Sequence, residues 1–182
     1  MIVWLNGPFG GGKTTTAAEL DALLPEVVVF DPEKMGEAIV PTLSGVEPVR
    51  DFQDWRPWRE MAVAALASLD RYTGRTIVAP QTVVVEQYWD EITSGLAAAD
   101  VELRAFTLDS TPAEHERRIA NDAVTSAAIE EIKIHERVGG WRRHRAADYR
   151  AALPWLAART EVIDTTRLRP AEVAKEIAGR IA

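Results

Sequence analysis

Cysteine is absent from the chain, which excludes disulfide bridges and thiolate zinc sites and fits an expected cytoplasmic location. Long apolar runs are missing too. None approaches the ~20 residues a membrane-spanning helix requires. Met1 leads straight into a strand-like segment, so no secretory signal is expected. His115, His135 and His144 lack HxxxH-type ligand spacing, and no structural metal is expected from them. A surplus of positive charge is lacking as well. The formal net charge of −7 argues against a general nucleic-acid binder, because polyphosphate attraction needs a basic surface. One small phosphorylated ligand in a locally basic cleft stays compatible with that charge, and Arg142-Arg143-His144-Arg145 is a local basic exception. Linkers, low-complexity stretches and internal repeats are not found. A length of 182 residues with 47% hydrophobic content suits a single domain over residues 1–182 with a sizeable core.

What is present begins at Gly7. Residues 7–14, Gly-Pro-Phe-Gly-Gly-Gly-Lys-Thr, match GxxxxGK[ST] in full. The apolar run Ile2-Val3-Trp4-Leu5 precedes them as a buried strand. A helical run from Thr14 to Leu24 follows, with apolar residues at Ala17, Leu20, Leu23 and Leu24. Strand, glycine-rich turn and helix N-terminus together make a P-loop of the pattern. The bland alternative is a glycine-rich turn without a ligand. In a P-loop the backbone of Gly7, Pro8, Phe9, Gly10, Gly11, Gly12 and the first helical turn curls around phosphate, its N–H groups (all but that of Pro8, which has none) turned inward and the helix dipole behind them. Lys13 reaches the outer phosphates and Thr14 offers its hydroxyl to Mg²⁺, with Thr15 beside it. A nucleoside triphosphate with Mg²⁺ is therefore the expected ligand.

Strand-like and helix-like runs alternate along the rest of the chain. Val27–Phe30 reads as a second strand ending at Asp31-Pro32. Residues 33–43 read as a helix that stops near Pro41, and residues 44–54 as a loop. Apolar positions Trp58, Met61, Ala62, Ala65, Leu66 and Leu69 recur at helical spacing between Trp55 and Tyr72. Thr76–Pro80 is the third strand, Glu86 to Ala99 a helix, and Glu102 to Leu108 the fourth strand. A helix opens after Ser110-Thr111-Pro112. Residues 122–140 are helix-prone and end in Gly139-Gly140, and a separate helix spans Trp141 to Arg159. Glu161–Asp164 is the last strand and Pro170–Ala182 the last helix. This alternation predicts an α/β fold with a parallel sheet covered by helices on both faces. Ligands then bind beyond the carboxyl ends of the strands, where Gly7–Thr14, Asp31 and Gln81 fall.

The guanine-reading NKxD tetrapeptide of switch GTPases does not occur. The third strand ends Ala79-Pro80-Gln81-Thr82, without the acid that large AAA-type motors use for Mg²⁺. A small-kinase type remains, in which a residue after the second strand meets the phosphoryl acceptor. The chain resembles the ATP-binding tunicamycin-resistance proteins among the P-loop small-molecule kinases. The likeness rests on Ile2–Thr14, Asp31-Pro32-Glu33-Lys34-Met35-Gly36, Asp51-Phe52-Gln53, Trp58-Arg59, Ala67-Ser68-Leu69, Pro80 and Thr82. Chloramphenicol phosphotransferases, gluconate kinases and shikimate kinases look like more distant relatives. The resemblance implies a nucleoside-monophosphate-kinase-like, five-stranded P-loop NTPase fold, ATP and Mg²⁺ as the cofactors, and protection against a nucleoside antibiotic. Residues 121–145, the lid region, match the family least.

The candidate residues each have a plainer reading. Asp31 is a general base for the acceptor hydroxyl or a holder of Mg²⁺ through water, or else a turn-former before Pro32. Arg118, and less so Arg117, would stack on adenine or clamp phosphate as an arginine does in related kinases, or lie on a solvated face. Arg137, Arg142, Arg143 and Arg145 would close as a lid, hinged at Gly139 and Gly140, or belong to an ordinary helix. Asp51, Phe52, Gln53, Trp55, Trp58 and Arg59 form a group that walls the acceptor pocket in related kinases. The two tryptophans lean toward core, whereas Gln53 and Arg59 lean toward the acceptor. Lys34, Phe52 and Gln81 complete the expected acceptor set, and Thr165, Thr166 and Arg167 would line the adenine site.

The expected activity is ATP-dependent phosphorylation of a hydroxyl on a small molecule, such as a nucleoside antibiotic like tunicamycin. Its rivals are ATP-gated sequestration of the drug without chemistry and a metabolic nucleotide or UDP-sugar kinase. The expected partner is a small-molecule acceptor, without nucleic acid or membrane span, on a monomer or homodimer.

Overall fold

The computed structural model describes the backbone of residues 1–127 and 132–182, and the side chains of residues 1–121 and 145–182. Five strands, β1 Ile2–Asn6, β2 Val27–Val29, β3 Thr76–Pro80, β4 Leu103–Asp109 and β5 Glu161–Asp164, form one sheet in the order β2-β3-β1-β4-β5. Every pairing is parallel, with Ile2 opposite both Ile77 and Leu103. The helices are α1 Lys13–Leu23, α2 Glu33–Leu43, α3 Arg56–Thr73, α4 Glu86–Ala98, α5 Pro112–Ala127, α6 Ile132–Arg159 and α7 Pro170–Ile181.

The central strand explains the layering. A strand turns alternate side chains to opposite faces, and β1 is apolar on both. Ile2 and Trp4 enter a core with Trp58, Ala62 and Leu66 of α3 and Trp89, Ile92 and Leu96 of α4. Val3 and Leu5 enter a second core with Ala17 and Leu20 of α1 and Val173, Ala174 and Ile177 of α7. Trp4 and Trp89 meet edge to face, with ring centroids 5.5 Å apart. The sheet thus has helices on both faces, and its strand ends carry the loops that follow Asn6, Val29, Pro80, Asp109 and Asp164. Among the described residues, no helix is long and apolar enough to cross a membrane.

Helix α2 keeps the expected bounds, Glu33–Leu43, with Pro41 in its final turn, where a proline removes one hydrogen bond without room left to break the helix. One helix boundary differs from the sequence expectation. Helix α6 runs through Gly139 and Gly140, where a break and hinge were expected. Each interior glycine costs about 1 kcal/mol relative to alanine. That weakens a helix but does not end one that continues for five turns beyond. The expected lid side chains between residues 122 and 144, including Arg137, Arg142 and Arg143, lie outside the described residues. Arg145 lies within them.

Candidate active site

The loop between β1 and α1 is built to leave its amides open. Gly12 is the N-cap of α1 in the left-handed region, with φ 88°, and no side chain caps the helix. A residue with a Cβ is strained there, and the uncapped N–H groups point out of the helix end. Gly7 adds a close approach, since a Cβ at that position would stand 2.7 Å from the Leu108 carbonyl oxygen. Neighbouring side chains fix the loop. Thr82 Oγ1 donates to the Gly7 carbonyl at 2.6 Å, and a ring nitrogen of buried His115 lies 2.7 Å from the Phe9 carbonyl oxygen. Asn6 Oδ1 accepts from the amides of Gly7 and Val83, tying the loop's root to the segment after β3.

A cavity of about 530 Å³ opens over this loop. Its walls include Phe9, Gly12, Lys13, Thr14, Thr15 and Glu33. Gly10, Pro80, Gln81, Thr82, Arg118 and Asn121 complete the lining. Lys13 Nζ folds back on its own loop, donating to the Gly7 and Pro8 carbonyls at 3.0 and 2.9 Å. Burial lowers the Lys13 pKa to about 8, against an opposing pull from Glu33 and, more weakly, Asp31. An anion docking over the loop would restore the charged form. Nucleotide affinity is therefore expected to be flat between pH 7 and 8. Above that it should weaken by up to about tenfold per pH unit, as the free protein loses the Lys13 proton that binding requires. Calorimetric titrations between pH 7 and 9.5 measure this, and an affinity unchanged over that range contradicts the assignment.

Glu33 is the functional-looking acid that sequence reasoning missed. It sits in the first turn of α2, lines the loop cavity, and its carboxylate makes no hydrogen bond among the described residues. Its pKa is raised by desolvation first and then by Asp31 and Glu37, with Lys13 and Lys34 opposing. Asp31 stands behind it. The Asp31 Oδ1 accepts the Glu33 amide at 2.9 Å, and Asp31 is not part of either cavity wall described here. A legible signal existed in the two-residue spacing of Asp31 and Glu33 at a helix start, where carboxylates suit the dipole. Trp58 fixes that start from the core, its Nε1 donating to the Pro32 carbonyl at 3.0 Å.

A second cavity, of about 310 Å³, shares Phe9, Glu33 and Gln81 with the first. Val40, Pro48, Val49, Phe52 and Trp55 give it apolar walls, and Ser44, Arg50, Asp51 and Gln53 the polar remainder. Phe52 packs on Trp58 with centroids 5.2 Å apart and lies directly over Gly36 of α2. A Cβ on Gly36 would fall 2.5 Å from the Phe52 ring. Gly36→Ala is therefore expected to push Phe52 into this cavity and to destabilise the protein by about 1–3 kcal/mol. Thermal unfolding checks the second effect, and an unchanged melting temperature contradicts it. Arg145 of α6 reaches across to the cavity rim, its Nη2 bonding Asp51 Oδ2 at 2.6 Å. Burial raises the Asp51 pKa, while the Gln53 amide and Arg145 oppose that rise.

A third hollow, on the other side of the loop, is lined by Gly11, Gly12, Arg117, Arg118, Thr166 and Arg167, among others. Arg118 spans this hollow and the loop cavity. Its Nε donates to Glu114 at 2.8 Å, Nη1 donates to Thr165 Oγ1 at 3.1 Å, and Nη2 donates to the Thr165 carbonyl at 2.6 Å. Arg117 is largely exposed and pairs with the same Glu114, whose carboxyl the two arginines hold at about 2. Thr166 Oγ1 accepts the Thr111 amide at 3.0 Å.

The structure thus brings Lys13, Thr14, Thr15, Arg118, Gln81, Gln53 and Phe52 to one connected pair of cavities. It keeps three expected acceptor residues, Asp31, Lys34 and Arg59, out of both. Lys34 is exposed and paired with Glu37 at 2.9 Å. Arg59 is buried and turned inward, bonded to Glu91 at 2.6 Å, to the Gln53 carbonyl and to the Asp54 carbonyl, and stacked over Tyr88 at 4.2 Å. It braces the single 3-10 turn Phe52–Asp54 that carries Gln53. The tryptophans follow the core reading: Trp58 is fully buried, and Trp55 nearly so with its indole donating to the Glu47 carbonyl.

A family model described as an AAA domain matches residues 2–138. The chain belongs to that family. Its fold and length are also similar to a solved tunicamycin resistance protein from Deinococcus radiodurans, at 28% identity and TM-score 0.72, covering 100% of this chain and 95% of that one. A sugar kinase from a Janibacter species matches at 16% identity and TM-score 0.63, covering 99% and 93%. The Mycobacterium tuberculosis APS kinase CysC, solved with AMPPNP and APS, matches at 15% identity and TM-score 0.54, covering 99% and 96%. No curated protein matches the chain. The sequence's five-stranded parallel P-loop kinase-like fold, and its likeness to a tunicamycin resistance protein, both stand. The AAA membership does not conflict with the sequence reading, which set aside the large motors of that name.

Proposed function

We propose that the protein is an ATP-dependent phosphotransferase acting on a hydroxyl of a small molecule, a nucleoside antibiotic of the tunicamycin type being the favoured acceptor. The observation that carries this reading is the pairing of cavities. A loop with open amides and a lysine adjoins an apolar-walled pocket, and one unpaired carboxylate, Glu33, belongs to both. The solved relatives support it: one is named for tunicamycin resistance, and another was solved with an ATP analogue.

In this reading the loop amides and Lys13 hold the phosphates, and Arg118 lies along the nucleotide between them and the base-side hollow of Thr166 and Arg167. Glu33 accepts the proton of the acceptor hydroxyl as its oxygen bonds to the γ-phosphorus. The bond from that phosphorus to the β,γ-bridging oxygen breaks, and ADP leaves. Lys13 offsets the negative charge that builds on the transferring oxygens. Asp31 supports Glu33, and the neighbouring carboxylate keeps its proton affinity high. The donors available for a cation, the Thr14 hydroxyl with Glu33 and Asp31 nearby, are hard oxygens that fit Mg²⁺. No cluster of three acidic or histidine ligands exists among the described residues, so phosphate and water would supply most of its shell. Such an ion would polarise the phosphate oxygens. Gln81, where an acid would bind metal more firmly, favours one rival, sequestration without chemistry. Mass spectrometry of tunicamycin and of a UDP-sugar after incubation with ATP and Mg²⁺ tests the reading. A gain of one phosphate on the antibiotic supports it, a gain on the UDP-sugar moves it to metabolism, and a tight unmodified complex replaces it with sequestration.

A further inference from the structure

The second cavity carries a statement about the acceptor's chemistry that deepens the kinase reading and rests on it. Gln53 and Gln81 are each only 5% exposed, and both line that cavity. Their Nε2 atoms donate to one and the same acceptor, the Thr82 carbonyl, at 2.9 and 3.3 Å. That shared bond fixes which end of each amide is oxygen, because the reverse orientation would set two oxygens together. Neither Oε1 has a partner among the described residues. Two amide carbonyls on otherwise buried side chains therefore remain open to solvent, free to accept from a ligand in the cavity their residues line.

Three cations outside the cavity lining are already engaged. Arg59 is engaged by Glu91 and two backbone carbonyls, Arg145 by Asp51 and Asp148, and Lys34 by Glu37. Arg50, exposed at the rim, is the one cation among the described residues lining the cavity. Of the two acids, Asp51 is paired with Arg145, and Glu33 has no ion-pair partner among the described residues. An anionic acceptor would bury a carboxylate or phosphate beside unpaired Glu33, with only the exposed Arg50 to receive it. A cationic acceptor would find Asp51 already paired. The remaining walls are Phe9, Val40, Pro48, Val49, Phe52 and Trp55.

We propose that the acceptor site selects an uncharged molecule presenting adjacent hydrogen-bond donors, hydroxyl or amide N–H, on an apolar body, with Gln53 and Gln81 as its specificity-determining pair.

The test uses three hexyl glycosides that differ only in charge: hexyl β-glucoside, hexyl glucuronide and hexyl glucosaminide. Calorimetric titration into the full-length protein saturated with AMPPNP and Mg²⁺ reads their affinities. The neutral glucoside is expected to bind at least about tenfold tighter than either charged partner. Gln53→Met and Gln81→Met are each expected to weaken it by about 5–30-fold, the loss of one hydrogen bond to an amide carbonyl. A hexyl ether of tetrahydropyran, without hydroxyls, controls for pocket collapse and should bind wild type and both variants alike. Equal or tighter binding of a charged glycoside, failure of all three to bind, or equal weakening of glucoside and ether in the variants each overturns the proposal. Turnover of ATP with the same panel separates this inference from the one it rests on. Neutral binding without phosphate transfer removes the kinase reading and keeps the pocket's chemistry, whereas transfer to the glucuronide in preference to the glucoside does the reverse.

Discussion

Lys13→Ala is expected to weaken ATP binding by about 10–100-fold and to lower turnover by about a thousandfold or more, a charge-assisted contact to the transferring phosphate being lost. The magnitude follows from where Lys13 sits. It is the cation that lies among the loop's open amides, whereas Arg118, which also lines the cavity, is held by Glu114 through Nε and by Thr165 through one donor on each terminal nitrogen. The variant should nonetheless fold. Lys13 loses solvation in the free protein, which lowers its pKa to about 8, so removing it relieves a desolvation cost while giving up two bonds to its own loop. Thermal unfolding close to wild type together with lost nucleotide binding is the expected pair of results. Retained ATP affinity in a folded Lys13→Ala protein contradicts the role.

Glu33→Gln carries the second large effect. A base that takes the acceptor proton contributes about 10²–10⁴-fold, so turnover should fall by that factor. ATP affinity should stay within about threefold of wild type, because the amide keeps the shape of the cavity wall and removes only a charge that opposes phosphate. The pH profile gives a further check. Desolvation and Asp31 raise the Glu33 pKa, so the base is protonated, and the rate lost, from a pH above the ordinary carboxylate range downward. Asp31→Asn should cost less, and it should shift the acid limb of that profile to lower pH, since one of the charges that keep Glu33 protonated is gone. Steady-state kinetics of both variants settle the matter. If Asp31→Asn loses transfer while Glu33→Gln keeps it, the base is Asp31.

The contrast between these two acids shows what a sequence can reveal. The phosphate loop was legible in full because its chemistry is contiguous: eight residues in a row specify turn, helix start, lysine and hydroxyl. Strand β1 was legible because both of its faces are apolar, which only a central parallel strand tolerates. Glu33 was quoted within a motif and given no role, because its presence in the cavity depends on how α2 is anchored. That anchor is an indole in another helix, Trp58, reaching the Pro32 carbonyl. Arg59 failed in the opposite direction. A buried polar residue beside an expected pocket suggests ligand contact, yet its partner Glu91 lies on α4, and no local pattern joins the two. The Gly139-Gly140 pair looked like a boundary because glycine is the usual stop signal, but α6 has enough helix on either side to carry it.

Amide hydrogen exchange addresses the central claim, that open backbone amides of the β1–α1 loop hold a triphosphate beside Glu33. The purified protein would be compared with and without AMPPNP and Mg²⁺. Slowed exchange concentrated in peptides covering Gly10 to Thr16, absent when Mg²⁺ and nucleotide are omitted, is the predicted result. Unchanged exchange across that loop at saturating nucleotide, or protection confined to other parts of the chain, contradicts it.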